Sequence, residues 1–162
     1  MAKVIVVCGK ICSGKTYYSK KIKDELNAVI ISPDEATYDL INNEQGDFYN
    51  IFSERLKKYL LKKVVEIVKA GANVVYERGL WGKKDRKELR EYLDKEKIDY
   101  EIHYVCVDDA TWEKNIEERN KRVEEGKGGS DFYLNEGLKK KLESYWEEPT
   151  EDEYDVIYKV ER

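Results

Sequence analysis

The chain has 162 residues, with 30 Lys+Arg against 34 Asp+Glu, a formal charge of −4, and 41% hydrophobic residues. That fits one domain with a real core, although 40% of the residues are charged. No apolar run approaches the roughly 20 residues that span a bilayer, one histidine (His103) rules out a multi-histidine metal centre, and three cysteines without a C-x-x-C pair rule out a closed disulfide framework.

The N-terminus, Met1-Ala2-Lys3, runs straight into an apolar segment and lacks the layout of a signal peptide. A reduced, cytoplasmic protein without a membrane partner is expected. The mild negative charge gives no support for nucleic-acid binding through bulk electrostatics.

In chain order, residues 3–8 (KVIVVC) read as a buried strand, followed by a helix over 15–26 with Tyr18, Ile22 and Leu26 on one face. Residues 28–31 (AVII) form a second strand, and residues 39–47 fit neither period and are expected as a mobile loop. A long helix over 49–70 carries Phe52, Leu56, Tyr59, Leu60, Val64, Ile67 and Val68, and Gly71 sits where a left-handed cap is wanted. Lys57-Lys58 and Lys62-Lys63 are expected on the solvated face of that helix.

The third strand is 73–76 (NVVY), followed by a helix over 83–96 with Leu89, Tyr92 and Leu93 inward. A strand over 100–107 leads into a helix from Asp109 that carries Trp112, Ile116, Arg119 and Val123. Residues 126–130 (GKGGS) read as a second mobile loop, and a helix over 134–147 precedes Pro149. The last strand, 154–160, alternates Asp155 and Lys159 with bulky residues, as a half-exposed edge does. The first three strands are short and continuous, the pattern of strands covered on both faces. Strands alternating with helices make an α/β fold with a five-stranded, mainly parallel sheet in a single domain over residues 1–162.

The segment Gly9-Lys10-Ile11-Cys12-Ser13-Gly14-Lys15-Thr16 matches G-x-x-x-x-G-K-[ST] and lies between a strand and a helix. Glycines let backbone N–H groups wrap phosphate oxygens, the helix N-terminus adds positive charge, Lys15 reaches the β- and γ-phosphates, and the Thr16 hydroxyl ligates Mg²⁺. ATP and Mg²⁺ are the expected ligands. Cys12 is either a small residue filling a tight turn or a thiol with a role of its own. A guanine-reading N-K-x-D is missing, because Asn120-Lys121 runs on to Arg122-Val123.

A kinase needs a group that orients or deprotonates the acceptor hydroxyl. His103 falls in mid-strand, so a carboxylate takes the role, and Asp34 follows the second strand at the carboxyl edge of the sheet, where α/β folds bind ligands. Capping a short helix over 35–40 is its alternative role. Glu77 ends the third strand at the same edge, to serve the Mg²⁺ water shell, the substrate, or only the turn. Arg78 and Trp81, between glycines, suit a pocket wall. Arg86 either anchors an anionic substrate or pairs with Asp85 or Glu88. Arg119 lies at the edge of an apolar stripe with Arg122 on the flank, next to a glycine-rich loop. This suits a lid over residues 117–131 that closes on phosphates; the alternative is an arginine that reaches solvent.

The phosphate loop, S-P-D-E after strand two, N-V-V-Y-E-R-G-L-W-G-K-K-D-R around Glu77, W-E-K-N-I-E-E-R-N around Arg119 and E-E-P-T-E-D-E near the C-terminus occur in a recognisable order. Together they resemble the AAA-type small P-loop kinases, related to polynucleotide kinases, zeta toxins and chloramphenicol phosphotransferases. The resemblance implies a three-layer P-loop kinase fold with a mobile lid, and transfer of the ATP γ-phosphate to a hydroxyl. It makes Asp34 the acceptor-side aspartate and Arg119 the lid arginine. Thr37 stands where polynucleotide kinases have an arginine, Asn115 where many relatives have another, and Glu77 where Asp is common. A small-molecule hydroxyl acceptor is therefore favoured over a nucleotide or polynucleotide. A nucleotide-dependent binding or regulatory module with slow ATPase activity is the competitor from another class.

Overall fold

β1 (Lys3–Cys8) runs through the middle of a five-stranded sheet, between β3 (Val74–Glu77) and β4 (Asp99–Val107). β2 (Val29–Ile31) lies outside β3 and β5 (Val156–Val160) outside β4, giving the order β2-β3-β1-β4-β5 with every pairing parallel. This computed structural model describes residues 1–42 and 46–161.

The connections are α1 (Lys15–Leu26), α2 (Pro33–Ile41), α3 (Tyr49–Lys69), α4 (Lys83–Glu96), α5 (Asp109–Glu124) and α6 (Glu136–Tyr145). Alternate residues of β1 face opposite helix layers, as the period of two dictates. Val4 and Val6 pack with Val64, Val68, Leu89 and Leu93 of α3 and α4, while Ile5 and Val7 pack with Tyr18 and Ile22 of α1. A third cluster, Val107, Trp112, Ile116 and Leu134, lies beside the loop after β1.

Three expectations change. β2 is an edge strand and leaves Val29 47% exposed, so it is not covered on both faces as its apolar run implied. The loop expected over 39–47 is shorter, since α2 extends to Ile41; residues 43–45 lie outside the described residues. The last helix starts at Glu136 instead of Leu134, because the Asn135 side chain accepts from the Leu138 N–H at 2.8 Å and caps it there. Among the described residues no helix is long and apolar enough to cross a membrane.

The register positions the site. Val7 pairs with Glu77 and Ile31 with Tyr76, so β1, β2 and β3 end together. Gly9, Ser32 and Arg78 leave the sheet at one edge, beside the point where strand order reverses around β1.

Candidate active site

The phosphate loop is clamped from three sides. The Gly9 N–H donates to the Gly79 carbonyl at 3.3 Å, tying the loop to the turn after β3. A Cβ at Gly9 would sit 2.7 Å from Ser13 Oγ and 2.8 Å from the Val105 carbonyl, so only glycine fits there. From α5, Trp112 Nε1 donates to the Ile11 carbonyl at 2.7 Å and Asn115 Nδ2 to the Cys12 carbonyl at 2.9 Å. Lys15 begins α1, and its ammonium donates to the Gly9 and Lys10 carbonyls, both at 2.8 Å. Burial pushes its pKa down, while the charges of Glu77 and Asp34 pull the other way.

Thr16 and Glu77 meet across the loop. The Thr16 hydroxyl donates to Glu77 Oε1 at 3.0 Å, which leaves its lone pairs to a hard cation. Among the described residues no cluster of three or more His, Cys, Asp or Glu forms a protein cage for a metal. This donor set fits Mg²⁺, which keeps water and phosphate oxygens as most of its ligands.

Asp34 stands in the first turn of α2, after Pro33. The cap of that helix is Ser32, whose Oγ accepts from the Glu35 N–H at 3.2 Å, so capping is not the work of Asp34. Its carboxylate is exposed and has no hydrogen-bond or ion-pair partner among the described residues. It opens onto a cleft of about 1160 Å³ that the phosphate loop, Glu77, Arg78, Trp81, Arg119 and Arg122 also line. A side recess of about 640 Å³ between α2, α3 and α6 shares Asp34.

Arg119 is buried rather than reaching solvent. Its Nε donates to the Phe132 carbonyl at 3.1 Å, its guanidinium stacks 4.6 Å from the Phe132 ring centre, and Nη1 lies 3.5 Å from Cys12 Sγ. Asp131 faces both cations, 3.6 Å from Arg119 and 3.5 Å from Arg122.

Arg86 does not join the cleft. With 2% of its side chain exposed, it pairs with Glu153 at 3.0 Å and donates to the carbonyls of Leu80 and Glu147 at 2.7 and 2.8 Å. Its expected role in anchoring a substrate, and its expected neighbours Asp85 and Glu88, are both replaced. All three guanidinium nitrogens hold the turn after β3 against the C-terminal segment. The lysines of α3 keep the exposure expected of them, Lys58 and Lys62 being exposed and Lys57 and Lys63 half-exposed, and Lys57 and Lys58 also line the cleft.

Comparison with known proteins adds the family. A family model described as an AAA domain matches residues 4–133. The chain belongs to this AAA domain family. No match is found among curated proteins. Among solved structures, the AAA-family chain is similar to a Chloroflexus aurantiacus protein described as a "putative kinase", with TM-score 0.73 and 14% identity over 98% of this chain and 87% of that one. It is similar to APS kinase of Mycobacterium tuberculosis, solved with AMPPNP and APS, with TM-score 0.62 and 15% identity over 99% and 90%. A chain of the Pnkp1/Rnl/Hen1 RNA repair complex matches with TM-score 0.67 and 17% identity over 89% of this chain and 43% of that chain. At these identities the likeness establishes the fold, that of the P-loop kinases.

Sequence reasoning missed several groups of this AAA-family site. Trp112 counted only as an apolar stripe, and Asn115 only as an absent arginine. Asn120 counted only in an incomplete N-K-x-D and in the segment around Arg119, and Asp131 only as the end of the expected lid. Asn120 clasps Leu134 through both its amide atoms, at 2.9 and 2.7 Å. A tryptophan on a helix face whose N–H needs a partner was the one available clue.

Proposed function

We propose that the protein is an ATP- and Mg²⁺-dependent kinase that transfers the γ-phosphoryl group to a hydroxyl of a small molecule. The observation that carries this reading is the unpartnered Asp34 carboxylate in the same cleft as a complete phosphate loop. Loop amides from Gly9 to Thr16 bind the phosphates, with Lys10, Ile11, Cys12, Ser13 and Gly14 supplying the curve. Lys15 exchanges its two loop carbonyls for phosphate oxygens. Thr16 would hold Mg²⁺ with Glu77 behind it, and the metal, when bound, would supply charge neutralisation for the phosphates.

Asp34 accepts the proton of the acceptor hydroxyl as that oxygen bonds to the γ-phosphorus. The bond from phosphorus to the β–γ bridging oxygen breaks, and ADP leaves with the electron pair. Arg119 and Arg122 offer positive charge to the transferring group from a lid over residues 117–131, whose closure is part of this reading. Arg78 and Trp81 form the acceptor wall.

A polynucleotide kinase is the second reading, supported by the likeness to the RNA repair chain. The net charge of −4 and Thr37 in place of an arginine favour a small acceptor. Asp34→Ala is expected to lower transfer by about 10²–10⁴-fold while ATP affinity stays within a few fold. Radiolabel transfer from ATP and a nucleotide titration measure the two. Survival of transfer in this variant would remove Asp34 as the base. ATP hydrolysis without transfer to any sugar, nucleoside, antibiotic or 5′-hydroxyl oligonucleotide would favour a regulatory module.

A further inference from the structure

Arg78 is a cation of the acceptor wall without a counterion among the described residues. It leaves the end of β3 half-buried, its backbone N–H donating to the Val7 carbonyl at 2.9 Å. Its side chain folds back along the strand, where Nη1 donates to the Tyr76 hydroxyl at 3.0 Å and the guanidinium lies 5.6 Å from the Tyr76 ring centre. Tyr76 is a core residue, and Leu61 and Tyr92, which also line the cleft, pack around its cluster. No carboxylate of the described residues pairs with Arg78. A guanidinium has five N–H donors, and one neutral phenol engages only one of its nitrogens.

The acids of the same wall are already engaged or committed. Glu77 accepts from Thr16, Asp85 accepts from the Gly82 N–H at 3.3 Å, Glu54 pairs with Lys57 at 3.8 Å, and Glu88 pairs with Lys84 at 3.6 Å. Asp34 and the exposed Glu35 remain, with Asp34 assigned to the hydroxyl. On the basic side Lys58 is without an ion-pair partner among the described residues and lines the same cleft. Holding a half-buried arginine without a counterion costs desolvation energy that an incoming anion offsets, and a guanidinium fork matches carboxylate and phosphate oxygens.

We infer that the acceptor carries an anionic group, a carboxylate or a phosphate monoester, which Arg78 binds with Lys58 beside it while Asp34 faces the hydroxyl. The inference rests on the kinase reading above, because it names the substrate class of that same site. Of the two arginines near this edge, Arg86 is spent on the C-terminal segment, which leaves the anion to Arg78. Apolar flanks at Leu61, Tyr92 and Trp81 suit the carbon skeleton between the two polar ends.

The test uses the whole chain saturated with Mg²⁺ and AMPPNP, so that the phosphate loop is blocked. Inorganic phosphate and acetate are titrated separately at constant ionic strength and the melting temperature is followed, since a ligand of the folded state raises it. The wild type is expected to show a saturable rise with one of the two anions, and which one responds separates a phosphate monoester from a carboxylate. Arg78→Gln is expected to lose the rise while keeping its response to AMPPNP, which shows an intact fold. Arg78→Lys is expected to keep part of it. Absence of a rise with both anions, or an equal rise in Arg78→Gln, overturns the inference. Failure of AMPPNP to stabilise the wild type overturns the kinase reading instead. Where transfer is observed, Arg78→Gln should raise the KM of an anionic acceptor on the order of tenfold or more and that of a neutral analogue much less. The opposite ranking counts against the inference.

Discussion

His103 lies on β4 with 7% of its surface exposed, and its Nδ1 shares a 2.7 Å hydrogen bond with the Tyr18 hydroxyl. Tyr18 in turn stacks on Tyr158 of β5, 4.7 Å between ring centres. Burial holds the imidazole pKa below its ordinary value and Lys3 adds to that, while Glu101 and Asp155 pull upward. The unfolded chain therefore binds a proton at a pH where the folded chain does not, and stability rises with pH through that window. On acidification from pH 7, the part due to His103 is lost as pH falls through about 6.5 and below, with a slope of at most about 1.4 kcal/mol per pH unit. Urea unfolding of the wild type and His103→Gln from pH 5 to 8 measures it. The variant is expected to show a flatter profile, and identical slopes would mean that other groups carry the dependence. A neutral, buried histidine paired with tyrosine is no base for the cleft, in keeping with a carboxylate in that role.

At the scale of elements, α5 serves two structures at once. Its first turns hold the phosphate loop through Trp112 and Asn115, and its last turns hold the following segment through Arg119 and Asn120. The helix itself was legible from the spacing of Trp112, Ile116 and Val123, and Asp108 caps it by accepting from the Thr111 N–H at 2.7 Å. What it grips was not, since periodicity reports a buried face but not the partner's sequence position. Asp131 shows the consequence. It faces Arg119 and Arg122 at 3.6 and 3.5 Å, so in the proposed reading nucleotide phosphates compete with its carboxylate for the same two cations. Each such pair is worth about 0.2–1 kcal/mol. Asp131→Asn is expected to tighten ATP binding by a factor of about 2 to 5, most visibly at low salt, as read by calorimetric titration. Weaker binding would show instead that the carboxylate orders the segment for nucleotide.

Over the whole molecule, the proposed acceptor wall depends on residues far away in sequence. Gly79, Leu80 and Trp81 form a turn in which Leu80 has φ +50°, and a Cβ on Gly79 would run into the Trp81 indole. Glu147 N–H donates to the Trp81 carbonyl at 2.8 Å, Arg90 donates to the Glu153 carbonyl at 2.8 Å, and Arg86 joins Leu80, Glu147 and Glu153. The strands and most helices were readable because their signals are local: period, caps, and runs of Val and Ile. Two of the three partners of Arg86 lie 61 and 67 residues away, beyond any local pattern, which is why the sequence set it among candidate substrate ligands. Glu153 is 11% exposed at its side chain, so the pair is largely cut off from water. Removing one partner of such a pair leaves the other charge uncompensated. Arg86→Met is therefore expected to lower stability by about 3 kcal/mol, with Arg86→Met/Glu153→Gln recovering part of the loss, in urea unfolding. If the turn also positions Trp81, the single variant should weaken acceptor use more than ATP binding at a temperature where it is still folded. Additive losses in the double variant would mean that the two side chains act separately and that the Leu80 and Glu147 carbonyls, rather than Glu153, are what Arg86 holds in place.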